Sequence, residues 1–143
     1  MQRYITSSAA ETEALAERLA GQLRGGEVIA FVGGMGMGKT CFTHGLAAGL
    51  GIDPGEVSSP TFALVNEYRG GRLPLFHFDM YRVESFDALY STGFFDYLDQ
   101  GGVVAVEWSE NIAGALPEEC IRITFERLDE TSRAITIEGV TLP

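Results

Sequence analysis

Glu27-Val-Ile-Ala-Phe-Val32, followed directly by Gly33-Gly-Met-Gly-Met-Gly38-Lys39-Thr40, is the stretch on which the fold turns. The first six residues form a short apolar run with Gly25-Gly26 before it and Gly33 after it, which reads as a buried strand. The next eight match G-x-x-x-x-G-K-[ST], and Lys39 to about Leu50 reads as the helix that follows. Each position has a physical task. Gly33, Gly34, Gly36 and Gly38 open backbone angles closed to other residues and leave no Cβ in the way of a phosphate. The N–H groups of this loop, through Met35 and Met37 to Cys41, are then expected to face an anion at the positive end of the helix. Lys39 supplies a compact charge for the β- and γ-phosphates, and the Thr40 hydroxyl a ligand for Mg²⁺. Independent placement of these residue types would produce one such match in roughly 0.2% of chains, so a chance glycine-rich turn is a poor explanation.

Lys39 is also the only lysine, beside nine arginines. A chain that otherwise uses arginine keeps lysine where a planar guanidinium could not replace a point charge. The guanine-reading motif Asn/Thr-Lys-x-Asp needs a second lysine, so ATP is favoured over GTP.

Working outward, Ser8-Ala-Ala-Glu11 fits a capping box. Leu15, Leu19 and Leu23 continue at helical spacing until Gly25-Gly26. Phe62 to Arg69 and Leu73 to Asp79 read as a hairpin around Gly70-Gly71. Glu84 to Leu98 reads as mostly helical with a break near Gly93, and Val103-Val-Ala-Val106 as a central strand covered on both faces. Ile121 to Arg127 and Arg133 to Val140 are two further strands. The order predicts an α/β protein with a three-layer P-loop NTPase-like fold, its central sheet mostly parallel with added antiparallel strands. With no repeats, linkers or low-complexity runs, residues 1–143 are expected to form a single domain.

A hydrophobic content of 45% with 21% charged residues is that of a folded chain. No apolar stretch approaches the ~20 residues needed to span a bilayer. The N-terminus lacks the pattern of a secretory signal, so a cytoplasmic location is expected. Cys41 and Cys120 read as reduced thiols, although oxidation of Cys41 would disturb a neighbouring phosphate site. A net charge of −10 opposes binding to free nucleic acid or an anionic membrane. Any service to nucleic-acid chemistry would therefore run through a protein partner.

A P-loop site needs a carboxylate at the end of a neighbouring strand to hold Mg²⁺. Val103-Val-Ala-Val-Glu107 and Leu75-Phe-His-Phe-Asp79 both end in one, and Glu107 is favoured. Ser58-Ser-Pro60-Thr61 has the hydroxyls of a loop that could sense the γ-phosphate, or simply leads into a strand. His77 reads as a packed strand residue. Arg82 either neutralises phosphate charge or pairs with Asp79.

The four motifs GGMGMGKT (33–40), VSSPTFALVNEY (57–68), HFDMYR (77–82) and VEWSE (106–110), in this order, resemble the TsaE family, formerly YjeE. That family comprises bacterial ATPases of tRNA threonylcarbamoyladenosine synthesis. The resemblance runs from about Ser8 to Pro117 and implies an accessory ATPase that binds a TsaD–TsaB complex, with tRNA held by the partners. By matching position it implies that Lys39 contacts phosphate, that Thr40 and Glu107 bind Mg²⁺, and that Thr61 lies in a switch. It implies further that Asp79 is a second acid needed for activity, that Trp108 lies close to the nucleotide and that Thr12 contacts adenine. Gly34 stands where the family usually carries aspartate, and Ser109 where proline is common.

The mechanism expected is in-line attack of water on the γ-phosphate of Mg·ATP, with catalysis by positioning and charge neutralisation. Either Asp79 or Glu107 would orient the water. No arginine finger stands out, so hydrolysis should be slow until a partner completes the site. Two other readings use the same pocket: a small-molecule P-loop kinase, although no arginine-rich lid is evident, and a nucleotide-gated binding module without turnover.

Overall fold

The computed structural model describes residues 1–33, 38–53, 57–58 and 65–143. Along the chain run β1 (Gln2–Thr6), α1 (Ala9–Ala20), β2 (Val28–Val32), α2 (Lys39–Gly49), β3 (Val57–Ser58), β4 (Val65–Tyr68) and β5 (Leu75–Asp79). Then come α3 (Phe86–Ser91), α4 (Phe94–Leu98), β6 (Val103–Glu107), a 3₁₀ segment (Ser109–Ala115), β7 (Ile121–Arg127) and β8 (Arg133–Glu138). The eight strands form one sheet in the order β1-β8-β7-β2-β6-β5-β4-β3. Its centre, β7-β2-β6-β5, is parallel. Both flanks are antiparallel: β1-β8-β7 on one side and β5-β4-β3 on the other. The architecture is the three-layer α/β arrangement expected.

The layers follow from alternation along the strands. In β2, Ile29 and Phe31 face α1 and α2, where they join Leu15, Leu19, Phe42 and Leu46. Val28 and Ala30 face the other way, toward Leu89 of α3, Phe94 of α4 and Ile112 of the 3₁₀ segment. Strands buried on both faces need covering helices on both sides, which is why the apolar run at 103–106 lies at the centre of the sheet.

Ser8 caps α1, its Oγ accepting from Glu11 N–H at 3.1 Å. The return bond is displaced by one residue, because Glu11 Oε1 accepts from Ser7 N–H rather than from Ser8. Helices α1 and α2 pack so closely that a Cβ at Gly45 would lie 2.7 Å from Ala16 Cβ, and one at Gly49 would lie 2.6 Å from Ala20 Cβ. β1 goes beyond the sequence expectations. Its strand state is fixed by residue-by-residue pairing with β8, from Gln2↔Ile137 to Thr6↔Arg133.

The topology gathers one edge. The parallel strands place the C-terminal ends of β2, β6, β5 and β7 together, as ligand sites of open α/β sheets require. Because β8 runs antiparallel to β7, it begins at this edge, and β1 ends there.

Candidate functional site

At that edge the residues between β2 and α2 turn the chain from strand to helix. Gly33 has φ of 142° and Gly38, the N-cap of α2, has φ of 99°, angles that side chains rarely adopt. Gly34, Met35, Gly36 and Met37 lie outside the described residues, as do Ser59, Pro60 and Thr61 of the expected switch.

Lys39 is 6% exposed, a costly place for an ammonium group unless it is paired. Its Nζ donates to the Gly33 carbonyl at 2.8 Å and lies 3.7 Å from Glu107 Oε1. It also sits 5.7 Å from the centre of the Trp108 ring. Glu107, at the end of β6, is held from its other side by His77, whose Nε2 lies 2.6 Å from Oε2 in a contact that falls short of hydrogen-bond alignment. The His77 contact, followed by the His77 and Lys39 charges, holds the Glu107 carboxyl below its ordinary range against the opposing effect of burial. The carboxylate is therefore ionised at neutral pH and poised beside the lysine.

Register pairs Asp79 with Glu107 across β5 and β6, so the two candidate acids stand side by side. They differ in surroundings. Asp79 is exposed, and its Oδ1 accepts from Tyr81 N–H at 2.9 Å. Arg82 is exposed and makes no ion pair with Asp79. Trp108 has φ of 57°, the one positive value outside glycine among the described residues, in a region that carries strain and gathers at functional sites. Its ring lies 4.9 Å from that of Tyr81. Behind it, Ser109 is buried and its Oγ donates to the Phe31 carbonyl at 3.0 Å, tying the end of β6 to β2.

These side chains line a pocket of about 690 Å³, formed by Gly38, Lys39, Thr40, Cys41, Asp79, Tyr81, Glu107, Trp108 and Arg133. Thr12 stands in an adjoining pocket of about 340 Å³ that shares Gly38, Cys41 and Arg133 with the first. Thr12 Oγ1 also lies 2.8 Å from Thr6 Oγ1, which links α1 to the end of β1. Thr12, Gly38, Lys39, Thr40, Cys41, Asp79, Glu107 and Trp108 thus fall in these pockets and Gly33 meets the lysine, whereas Arg82 lines neither pocket. Tyr81 and Arg133 are additions. Tyr81 lies inside the HFDMYR motif and was open to reading, whereas Arg133 carries no motif and reaches the site only through strand order.

Together, fold and site define an α/β protein of the P-loop NTPase-like class. A profile of the family described as "Threonylcarbamoyl adenosine biosynthesis protein TsaE" matches residues 6–135, and the chain belongs to that family. It is 40% identical over 138 residues to the Bacillus subtilis tRNA threonylcarbamoyladenosine biosynthesis protein TsaE, covering 96% of this chain and 85% of that one. To the Treponema pallidum protein of the same description it is 38% identical, covering 94% and 98%. A crystal structure of Bacillus subtilis YdiB superposes with a TM-score of 0.76 at 35% identity, covering 95% of this chain and 83% of that one. Among the described residues, no helix is long and apolar enough to cross a membrane.

Proposed function

We propose that this protein is a Mg²⁺-dependent ATPase that acts in the cytoplasm as an accessory subunit of tRNA threonylcarbamoyladenosine modification, with a TsaD–TsaB-type complex as its partner. The observation that carries the reading is the buried Lys39, fixed between the Gly33 carbonyl and the Glu107 carboxylate in the lining of the 690 Å³ pocket. A charge held in this way is already positioned in the pocket, and an arriving phosphate would take the place of its Glu107 partner.

The donor set fits the metal. A hydroxyl on Thr40 and an ionised carboxylate on Glu107 are hard oxygen ligands on one pocket wall, and Mg²⁺ is commonly held by one or two such groups together with substrate phosphates and water. When bound, the ion would neutralise charge on the β- and γ-phosphate oxygens. Lys39 would move from the Glu107 carboxylate toward the phosphates, freeing Glu107 Oε1 for the ion, while His77 keeps Oε2 in place. Asp79, exposed in the same pocket and in no ion pair among the described residues, is the acid we assign to the attacking water.

The test is phosphate release from Mg·ATP by the protein alone and with a TsaD–TsaB complex added. Slow turnover, strong stimulation by the complex and loss of both in Lys39→Ala are expected. A Lys39→Ala protein with full activity would overturn the site. Transfer of phosphate to a metabolite without net release would replace the ATPase with a kinase.

A further inference from the structure

From Val83 to Cys120 the chain carries eight acidic residues and no lysine, arginine or histidine. The rest of the chain holds 12 of the 20 acids and all 10 cations, so this one stretch supplies most of the net charge of −10. It builds α3, α4, β6 and the 3₁₀ segment, whose apolar side chains form the core on the side of the sheet away from α1 and α2. Seven of the eight acids are exposed, and the eighth, Glu107, lines the main pocket.

An aromatic patch stands among these charges. Phe86 and Tyr90, one turn apart on α3, are 66% and 68% exposed. Their ring centres lie 6.4 Å apart, and Phe95 of α4 completes a triangle with them at 6.0 and 6.5 Å. Single apolar side chains scattered on a surface need no explanation, but a contiguous set does. Beside the patch lies a groove of about 620 Å³ between α3 and the 3₁₀ segment, lined by Phe86, Leu89, Phe95 and Ile112 together with Glu84 and Asn111. Each exposed ring covered there would withdraw on the order of 100 Å² from water.

The groove also communicates with the main pocket. Asn111 lines it and donates through Nδ2 to the Met80 carbonyl at 2.8 Å and the Tyr81 carbonyl at 3.3 Å. Tyr81 lines the main pocket and packs on Trp108, while the Met80 N–H donates to the Glu107 carbonyl at 3.0 Å. One side chain therefore links a segment seated in the groove to the strand ends that carry Asp79 and Glu107.

We propose that this face docks the partner complex, through a segment that sets apolar side chains on the groove and patch and lysine or arginine against the surrounding acids. Charge complementarity decides the occupant. A second copy would bring the same acids against one another, and a nucleic acid or an anionic membrane would be repelled. The inference rests on the partner reading proposed above and adds to it the surface used and the chemistry of the contact.

The test is the kinetics of binding between a TsaD–TsaB complex and the wild type or its variants, with Mg·ATP present. Phe86→Ser combined with Tyr90→Ser should weaken binding about 30-fold, as loss of central aromatic anchors does. Unstimulated phosphate release should stay at the wild-type rate, because neither ring lines the main pocket. Glu84→Lys should slow association and flatten its salt dependence, with little change in dissociation. Ile5→Thr, at an exposed apolar position on β1 outside the groove, should bind as the wild type does. Wild-type affinity in the folded double variant, an unchanged association rate in Glu84→Lys, or equal weakening by Ile5→Thr would overturn the inference and leave the partner reading intact. A wild type that does not bind the complex would sink both. A dimeric wild type made monomeric by the double variant would assign the face to a second copy and end the proposal.

Discussion

Gly45→Ala tests how α1 and α2 together set the spacing of the site. A Cβ at this position would press on the Glu13 carbonyl oxygen, lie 2.7 Å from Ala16 Cβ and lie 2.8 Å from Glu13 Cα. Relaxing such contacts to an ordinary carbon–carbon separation requires the helices to part by about 1 Å. Two of the three obstructing atoms are backbone, which cannot swing aside as a side-chain tip would. The overpacking cost therefore lies near the top of the usual range, about 3 kcal/mol. Alanine recovers about 1 kcal/mol of helix propensity. The net is a loss of about 2 kcal/mol, or about 4–8 °C in the melting temperature of a chain of this size. The effect should also reach function, because α1 carries Thr12 while α2 begins at Lys39, and a Cβ on Gly38 would lie only 4.0 Å from Thr12 Cγ2. Urea unfolding and calorimetric ADP binding on the same samples measure both consequences. At Gly114 nothing lies within 4 Å of an added Cβ, so Gly114→Ala is the neutral control. A Gly45→Ala protein as stable as the wild type, with unchanged ADP affinity, would refute the packing argument.

Two further outcomes follow from the geometry. The hydrogen bond from Arg69, and after it that from Tyr97, holds the Glu67 carboxyl below its ordinary value of 4.5. A carboxylate depressed in the folded state stabilises above its unfolded pKa and loses that contribution as pH falls through the folded one, so the urea midpoint should drop less in Glu67→Gln than in the wild type between about pH 6 and about pH 3.5; equal drops would remove Glu67 from the acid limb. Trp108 is the sole tryptophan and packs beside Lys39, so its fluorescence should change on addition of Mg·ATP, and a silent titration would count against its place at the site.

Legibility varied with the kind of signal. The strand before the P-loop match, the helix after it, the apolar run 103–106 and the Ser8 cap are local patterns; β2, α2 and β6 stand within a residue or two of their expected bounds, while α1 stops at Ala20, short of the expected stop at Gly25-Gly26. The pairing of Asp79 with Glu107 could be anticipated because both end apolar strands, and parallel strands bring such ends together. β1 was a different matter. Gln2 to Thr6 alternates over only five residues, and the partner that makes it a strand lies 127 to 135 residues away. Arg133 was hidden for the same reason, since nothing local marks the first residue of a final strand as part of a site 94 positions removed from Lys39. His77 read correctly as a packed strand residue, but its contact with Glu107 depends on the β5–β6 register and on the rotamers of both side chains.

Charge accounting explains why such a site would depend on a partner. The charged residues of the main pocket are Lys39 and Arg133 against Asp79 and Glu107, so that its wall is formally neutral within a chain of net charge −10. The residues outside the described set, 34–37, 54–56 and 59–64, include a single charged side chain, Glu56, and no cation. An incoming nucleotide would therefore be attracted by the placement of particular donors rather than by the field of the protein as a whole. The same inventory limits the reaction. Lys39 is held by the Gly33 carbonyl and Glu107, and Arg133 by the Asp129 and Ser132 carbonyls. If the pocket hydrolyses ATP as proposed, charge spreading over the γ-phosphoryl oxygens in the transition state would meet no further cation among the described pocket residues, and a cation supplied in trans is a known remedy of large effect. An acidic surface around a neutral pocket is suited to receive it, since such a surface draws a basic partner toward the place where the missing charge is needed.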